Sequence, residues 1–258
     1  MAIGPKFKTR CANVPDALLP LLFVAARPQD FKAGQVLFAS GDAGDGCYLL
    51  DRGLLKVTVT SSHGEQRIIA MLGLGSLVGE LSMIDGGPRS ASDVALSDCS
   101  LRFISREAFA KYMATHPEAY EALVAILAFR LRQAHEVVAA TTFLTVKQRV
   151  ARALVELAEY VGTPSSAGRI VLREKISLAD IAAMPGVARE NVSRVMSEWR
   201  RRKLISGPTR HYCLNDIGAL TREVHSKRRS PRRRPATVTS DSSILSRRWH
   251  MLKNGQSP

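Results

Sequence analysis

The first hundred residues alternate apolar and polar positions in short runs. "LKVTVT", at 55–60, places every second side chain on an apolar face, as a half-buried strand requires. Twelve of the 18 glycines precede residue 90, which fits many tight turns. The β-rich segments are "QVLFAS", "CYLLDRG", "LLKVTVTSS", "QRIIAML" and "DVALSDCSLRFIS". Their near-even spacing predicts a sandwich or a small barrel.

From Pro117 the pattern becomes helical. "PEAYEALVAILAFRLRQAHEVVAATT" has no glycine and no internal proline, so it predicts one long helix. Steps of four and three residues define a heptad seam: Tyr120, Val124, Leu127, Leu131, Ala134, Val138 and Thr141. This is the a/d pattern of a two-stranded coiled coil, although a stripe packed on the protein's own core shows the same spacing. Because the seam holds across three heptads, we favour dimerisation.

Three more helices are predicted after the long one. "TVKQRVARALVELAEYVG" begins at an N-cap, Thr145, and ends at Gly162; a polar loop, "TPSSAGR", follows. "ISLADIAAMPGVARENVSRVMSEWRRRKLI" then predicts a helix, a turn and a helix, with Ser177 and Asp180 capping the first and Pro185 ending it. The inner faces are Leu178, Ile181 and Ala182 in the first helix, and Val192, Val195, Met196 and Trp199 in the second.

The other face of that second helix is polar and charged. It holds Arg189, Glu190, Ser193, Arg194 and Ser197. An arginine can grip O6 and N7 of guanine, and a glutamate can accept from N4 of cytosine. The alternative is a solvated face in which Glu190 and Arg194 form an ordinary i, i+4 pair.

"LISGPTRHYCL" decides between these interpretations, because it predicts two short strands around Gly207 and Pro208. Helix, turn, helix and hairpin together are typical of a winged helix-turn-helix that binds double-stranded DNA. Thr209, Arg210 and His211 would lie at the wing tip, where phosphate contacts add affinity.

The charge agrees with a polyanionic partner. The net charge is +14, of which residues 222–258 supply +8 through ten Lys or Arg and two acidic residues. This tail is rich in charge and poor in apolar residues, so we expect disorder. The tail either adds nonspecific affinity for DNA phosphates or has no function, and these alternatives are equal. The longest apolar runs are too short to span a membrane, so no membrane partner is expected.

Cysteines and the N-terminus exclude little. Cys11, Cys47, Cys99 and Cys213 have no ligand-like spacing, so we expect plain buried thiols in a reducing compartment and no metal. "KFKTR" and "ALLPLLFVAA" are similar to a secretory signal, but Asp16 and two prolines interrupt the pattern. A short helix at the entrance of a domain is the preferred interpretation.

A second chemical signal lies in "VGELSMIDGGPRSAS", at 78–92. It places a carboxylate at Glu80 and a guanidinium at Arg89 on either side of a Gly-Gly-Pro turn. Glycines let a ligand approach exposed backbone N–H groups. A cyclic nucleotide fits this set, because its ribose 2′-hydroxyl donates to a carboxylate and its phosphate carries one negative charge for a guanidinium.

"GELSMIDGGPRSA" resembles the phosphate-binding cassette of cyclic-nucleotide-binding domains. Together with "ARENVSRV" and "FKAGQVLFASGDAGDGCYLLDRGLLKV", it is similar to the Crp/Fnr family of bacterial transcriptional regulators, the family of the cyclic-AMP receptor and the fumarate-nitrate regulator. The resemblance covers Phe31 to Leu220. It implies an α+β fold: an N-terminal cyclic-nucleotide-binding β-roll (jelly roll), a long dimerisation helix and a C-terminal winged helix-turn-helix. The expected segments are 1–22, an N-terminal segment; 23–116, the β-roll; 117–143, the dimerisation helix; 144–221, the DNA-binding domain; and 222–258, the tail.

The resemblance also implies roles for individual residues at the effector site. Glu80 would hold the ribose 2′-hydroxyl, and Arg89 would pair with the cyclic phosphate. The other expected contacts are Gly79, Leu81, Ser90 and Ala91 in the cassette, and Arg130, Ala134 and His135 on the long helix. Cyclic-AMP receptors read adenine with a Thr-Ser pair where this chain has Ala134 and His135. Cyclic AMP ranks first because the sugar and phosphate groups are present, but cyclic GMP, another cyclic nucleotide and loss of the ligand stay open.

For DNA, the resemblance places Arg189, Glu190 and Arg194 at the family's base-reading positions, with Ser193 beside them, and implies a palindrome of GTG-like half-sites. Ala188 and Pro185 depart from the usual pattern, which predicts altered affinity. Ligand binding would rotate the dimer helices and set the recognition helices about 34 Å apart, one turn of DNA. RNA polymerase and a cytoplasmic location are also implied.

Two rivals differ in class. A redox or gas sensor of the same family would need ligating residues, and the scattered cysteines supply no iron-sulfur set. An enzyme would need a catalytic constellation, and the sequence contains no recognisable one.

Overall fold

The computed structural model describes residues 19–165, 168–208 and 210–226. A short helix, α1 (Leu19–Leu22), lies in the apolar N-terminal stretch, whose preceding residues are outside the described part. The strands of the N-terminal part are β1 (Pro28–Phe31), β2 (Val36–Phe38), β3 (Gly46–Arg52), β4 (Leu55–Thr60), β5 (Gln66–Leu72), β6 (Leu77–Val78), β7 (Ser92–Ala95) and β8 (Cys99–Ser105). Helix α2 (Glu80–Asp85) lies between β6 and β7.

These strands form two antiparallel sheets of four, in the orders β1-β8-β3-β6 and β2-β7-β4-β5. The sheets enclose an apolar cluster that contains Leu50, Leu55, Val78 and Leu101. The predicted β-roll is therefore confirmed. The turn between β4 and β5 shows the role of one glycine, because Gly64 has a φ of 81° and its N–H donates to the Ser61 carbonyl at 3.0 Å.

Two details of the strand prediction were wrong. "DVALSDCSLRFIS" is two strands, since the chain bends at Leu96 and Ser97 between β7 and β8 and so moves from one sheet to the other. Strands β1 and β6 were missed. β6 has only two residues, so its alternation is too short to recognise, and β1 ("PQDF") has no apolar face to mark it.

Helix α3 (Arg106–Thr115) leads into the long helix α4 (Ala119–Phe143). One face of α4 packs on the β-roll through Ala122, Leu123 and Ile126, in a cluster with Phe109 and Met113. The heptad seam lies on another face, where four large apolar side chains are 52–63% exposed: Tyr120, Val124, Leu131 and Val138. Packing on the protein's own core is therefore the wrong explanation for these four residues.

Helix α5 (Val146–Val161) begins and ends as predicted. The Thr145 side chain accepts from the Gln148 N–H, and the Gln148 side chain accepts from the Thr145 N–H. The following loop prediction was wrong in part, because β9 (Gly162–Pro164) pairs with β10 (Ile170–Leu172). A three-residue edge strand that ends in proline carries no period-2 signal of its own.

The remaining elements are α6 (Leu178–Ala183), α7 (Arg189–Arg201), β11 (Ile205–Ser206), β12 (Cys213–Leu214) and α8 (Ile217–His225). They form the predicted winged helix-turn-helix, with a small sheet ordered β11-β12-β10-β9. The Ser177 and Asp180 capping box at α6 is present. In α7, Val192, Met196 and Trp199 are buried, but Val195 is only half-buried.

The β-roll packs against the DNA-binding part through a shared apolar cluster. Leu54, Ile68 and Met71 of the roll lie in the same cluster as Leu154 of α5 and Ile181 of α6. This contact makes the position of the helix-turn-helix dependent on the β4–β5 hairpin.

The cysteine prediction was correct for two residues. Cys47 and Cys99 are buried free thiols, whereas Cys213 is half-buried and Cys11 lies outside the described residues. Within the described ranges, no helix is both long enough and apolar enough to cross a membrane.

Candidate functional site

The cassette predicted from "GELSMIDGGPRSA" folds into a tight unit between β6 and β7. Strand β6 ends at Val78, and Gly79 turns the chain into α2 with a φ of 76°. A Cβ on Gly79 would lie 2.3 Å from Nη1 of Arg89, so no other residue fits there without displacing the arginine. Glycine at this position thus lets the guanidinium reach the backbone.

Arg89 is buried, and the cassette holds its terminal nitrogens. Nη1 donates to the carbonyls of Gly46 and Gly79 at 2.8 Å each, and to Oγ of Ser82 at 3.0 Å. Nη2 donates to Oδ1 of Asp45 at 3.2 Å. The guanidinium is therefore fixed in place.

The third nitrogen of Arg89 is different. Its Nε is buried and has no hydrogen-bond partner. The guanidinium carbon also lies 4.3 Å from the centre of the Phe38 ring, a cation–π distance. A fixed cation with an unused donor can accommodate an anion.

Glu80 lies at the first position of α2, and its side chain is 1% exposed. One carboxylate oxygen, Oε1, accepts from Nη1 of Arg130, and Nη2 of Arg130 donates to the Leu77 carbonyl. Arg130 belongs to α4, so this pair joins the cassette to the long helix. The other oxygen, Oε2, is buried without a donor.

These groups line one cleft of about 340 Å³. Its walls include Gly79, Leu81, Ser90, Ala91 and Arg130, all predicted as ligand contacts, together with Glu80 and Arg89. Oε2 of Glu80 lacks a donor and Nε of Arg89 lacks an acceptor, and both residues line the cleft. A ribose hydroxyl and a cyclic phosphate would satisfy both.

Ala134 and His135 do not line this cleft. Both are exposed on α4, one to two turns beyond Arg130. The structure therefore brings seven of the nine predicted ligand contacts together and leaves two on the exposed face of the long helix.

Five residues of the cleft were not predicted: Phe38, Val57, Leu72, Ser82 and Asp93. Asp93, on β7, is the charged one among them. Its side chain is buried, its Oδ1 has no partner, and it faces the same space as Glu80 and Arg130. Burial raises its pKa to about 7, although Arg130 pulls the pKa down. The signal was a charged residue at an inward position of an alternating strand, since Asp93 and Ala95 are the buried residues of β7.

The predicted DNA-reading face is exposed along α7. Arg189, Glu190, Ser193, Arg194 and Ser197 all point to solvent. Among the described residues, no ion pair joins Glu190 to Arg194. The first turn of α7 follows Ala188, which supplies no side-chain cap.

The predicted wing forms between β11 and β12. Arg210 and His211 are exposed, and Arg210 has a φ of 68°, in the left-handed region that non-glycine residues adopt mainly in turns. Thr209 and the tail from 227 to 258 lie outside the described residues.

Comparisons with known proteins agree with both parts. A family profile described as a cyclic nucleotide-binding domain matches residues 28–116, and a Crp-like helix-turn-helix domain matches 148–223. The CRP-like cAMP-activated global transcriptional regulator of Mycobacterium tuberculosis is 30% identical over 210 residues, which are 81% of this chain and 93% of that protein. The chain belongs to the Crp/Fnr family of transcriptional regulators.

Two further relatives support the family. The cyclic AMP receptor protein of Thermus thermophilus is 35% identical over 166 residues, 64% of this chain and 73% of that protein. A solved structure of a CRP/FNR family transcriptional regulator from the same organism has a TM-score of 0.67 and 26% identity, covering 78% of this chain and 99% of that one. As a Crp/Fnr family member, the protein is a transcriptional regulator with a cyclic-nucleotide-binding domain and a DNA-binding helix-turn-helix.

Proposed function

We propose that this Crp/Fnr regulator binds a cyclic nucleotide, cyclic AMP before others, between Glu80 and Arg89, and binds a palindromic operator as a homodimer. The observation that carries the proposal is that Glu80 and Arg89 line one cleft and that each has a buried atom without a partner, Oε2 and Nε respectively. A cyclic nucleotide supplies a hydroxyl donor and a singly charged phosphate within one small molecule.

The sugar and phosphate contacts follow from these atoms. The ribose 2′-hydroxyl donates to Oε2 of Glu80, while Arg130 holds that carboxylate in place through Oε1. The phosphate lies against Arg89, whose guanidinium is already fixed and loses little freedom on binding. Ser90 and the backbone at Ala91 complete the phosphate contacts at the edge of the cleft.

Helix α4 would contact the base of the nucleotide. The base would extend toward the exposed face of that helix, where His135 is the hydrogen-bonding side chain at the two predicted positions. The neighbouring Ala134 offers no hydrogen bond. His135 is therefore the residue that we expect to set the preference between adenine and guanine.

A second copy of this chain is the proposed occupant of the heptad seam. The seam exposes Tyr120, Val124, Leu131 and Val138 along a helix whose other apolar face is already buried. Parallel pairing of two α4 helices would bury this stripe and bring His135 of each copy near the other's cleft.

The effector would act through the same helix. Because Glu80 contacts both the ligand and Arg130, a ligand at Glu80 alters the hold of the cassette on α4. The shared cluster of Ile68, Met71 and Ile181 then transmits roll movements to the helix-turn-helix. Only the spacing of about one DNA turn lets both α7 helices enter successive major grooves.

On DNA, Arg189, Glu190 and Arg194 would contact base edges of a GTG-like half-site, and Arg210 and His211 would contact phosphates. RNA polymerase is the further partner proposed for such a regulator at a promoter. A second candidate function is regulation by another signal, or none, which the replacement of the Thr-Ser pair by Ala134 and His135 favours.

Fluorescence anisotropy with a labelled palindromic duplex separates the two candidates. The expected result is DNA affinity that rises at least tenfold when cyclic AMP or cyclic GMP is added, with a smaller rise in Glu80→Gln. A matched control is Glu65→Gln, on the exposed β4–β5 turn, which should respond as the wild type does. Equal DNA affinity with and without either nucleotide would favour the second candidate.

A further inference from the structure

A buried carboxyl group in the effector cleft has no part in the contacts described so far. Asp93 lies on β7, an inner strand of its sheet. It pairs with Phe38 of β2 on one side and with Val57 of β4 on the other. Only 3% of the residue is exposed, and its Oδ1 has no hydrogen-bond partner. Asp93 also lines the cleft, so a ligand there would lie close to this carboxyl group.

The charges around Asp93 come from three neighbouring segments. Glu80 reaches it from α2, Arg89 from the loop before β7, and Arg130 from α4. The strands that flank β7 contribute no further charge, because Phe38 and Val57 are apolar and the nearby Lys56 ammonium pairs with Asp180 instead. Asp45 contacts Arg89 but is 75% exposed, so solvent screens its charge.

The charge balance of the cleft therefore depends on one proton. With Asp93 ionised, two carboxylates face two guanidiniums, and an incoming anion meets no net positive charge. With Asp93 protonated, the same groups sum to one positive charge, which a singly charged cyclic phosphate neutralises. The protonated carboxyl also gains an O–H donor for the ligand.

The Asp93 carboxyl titrates near neutral pH, so the charge of the cleft changes in that range. Burial raises the pKa of its carboxyl to about 7, and of the nearby charges Arg130 and Arg89 lower it while Glu80 raises it. Entry of an anion adds a further negative charge beside the carboxyl and pushes the pKa higher still. A rise in pKa on binding is, by linkage, the uptake of a proton on binding.

We propose that Asp93 couples occupation of the cleft by a singly charged cyclic phosphate to the uptake of one proton, so that effector binding strengthens as the pH falls through neutrality. The inference rests on the proposed function, because it concerns the same ligand class at the same site. It makes the regulator a sensor of effector concentration and pH together.

The experiment is calorimetric titration of the full chain with cyclic AMP, or with cyclic GMP if that binds more tightly, at pH 6, 7 and 8. Each pH is run in two buffers of different ionisation enthalpy, which gives the number of protons taken up. The wild type should bind about tenfold more weakly at pH 8 than at pH 6 and take up close to one proton at pH 8. Asp93→Asn should change less than twofold over this range, with no proton uptake.

Three control variants make the result specific. Asp93→Val removes the carboxyl with an apolar side chain and should also abolish the pH dependence, which guards against a folding defect of the asparagine variant. Asp98→Asn makes the same change at an exposed carboxylate and should keep the pH dependence of binding. His135→Gln should keep the pH dependence as well, which tests whether the imidazole on α4 is the source of the proton.

The outcomes separate the inference from the proposed function. Binding of equal strength at pH 6 and pH 8 in the wild type overturns the inference and leaves the effector proposal intact. Dependence that persists in Asp93→Asn but disappears in His135→Gln also overturns it, because the proton then belongs to the histidine. Absence of binding at every pH in the wild type overturns the proposed function, and the inference with it.

Discussion

Lys56 on β4 and Asp180 on α6 form an ion pair, Nζ to Oδ1 at 2.7 Å, that joins the β-roll to the helix-turn-helix. The two side chains are 17% and 14% exposed. Burial opposes the charged form of Asp180, but hydrogen bonds from Lys56 and Ser177 outweigh it and hold the pKa of Asp180 below its usual value. The same carboxylate therefore caps α6 and fixes it to the roll.

Replacing Lys56 with methionine tests this contact. The variant leaves a partly buried carboxylate without its cation, so we expect a loss of about 1–3 kcal/mol in the free energy of unfolding, measured by urea denaturation at pH 7. Lys111→Met, which removes an exposed i, i+4 partner of Glu107, should cost less than about 0.5 kcal/mol.

The pH dependence of the same variant has a definite sign. Because the folded-state pKa of Asp180 is lowered, its contribution is present above the unfolded pKa near 4 and is lost as the pH falls through the lower folded value. The wild type should therefore lose its advantage over Lys56→Met below about pH 4. An advantage that is unchanged at pH 3 would show that the ion pair is not its source.

The effect of Asp93 on stability should change with pH in the opposite direction to that of Asp180. Its carboxyl titrates near 4 when unfolded and at about 7 when folded, so the folded state holds more protons between these values and loses stability as the pH rises. Between pH 4.5 and pH 8 the wild type should lose about 3 kcal/mol more than Asp93→Asn. Parallel pH profiles of the two proteins in urea denaturation would mean that Asp93 is already ionised in the fold.

The heptad seam predicts a change in oligomeric state. A carboxylate at two exposed seam positions, Val124→Asp with Leu131→Asp, should convert a dimer into a monomer of native helix content, because it places like charges across the pairing face. Light scattering with circular dichroism measures both properties. Ala125→Asp, one residue outside the seam, should stay dimeric. A wild type that is monomeric at micromolar concentration would refute the dimer.

Substitutions in the recognition helix and in the wing should affect DNA binding in different ways. Arg189→Ala should weaken binding to the preferred half-site by about 1–3 kcal/mol and relax the preference at one base pair. His211→Ala should weaken binding equally for all sequences, since the wing contacts phosphates. Anisotropy titrations against the palindrome and its single-base variants measure both. Equal losses on all sequences for Arg189→Ala would place that residue on the backbone rather than on a base.

Much of the fold was predictable because its elements have a local signal. The alternation of β4, the heptads of α4 and the capping box at Ser177 each depend on residues a few positions apart. β6 and β9 were missed because two or three residues are strands only through their partners. Sequence spacing also found Glu80 and Arg89, since the glycine turn between them is local.

The parts that escaped prediction are set by tertiary contacts. The resemblance named Arg130 as a ligand contact, yet nothing in the sequence announced its pairing with Glu80, 50 residues away. Asp93 is a further case. Its neighbour Val94 is apolar, yet the pleat of β7 turns the Asp93 side chain inward instead. Only the assembled fold shows that Oδ1 of Asp93 has no partner.

Calorimetric titration of the purified protein with cyclic AMP and cyclic GMP, beside Arg89→Lys, tests the proposed effector site. The lysine keeps the charge but loses the Nε donor and the planar fork, so we expect binding at micromolar concentrations in the wild type and a loss of about tenfold or more in the variant. Arg52→Lys, at an exposed site, should bind as the wild type does. Binding of neither nucleotide by a folded wild type, or equal binding by Arg89→Lys, would contradict the account.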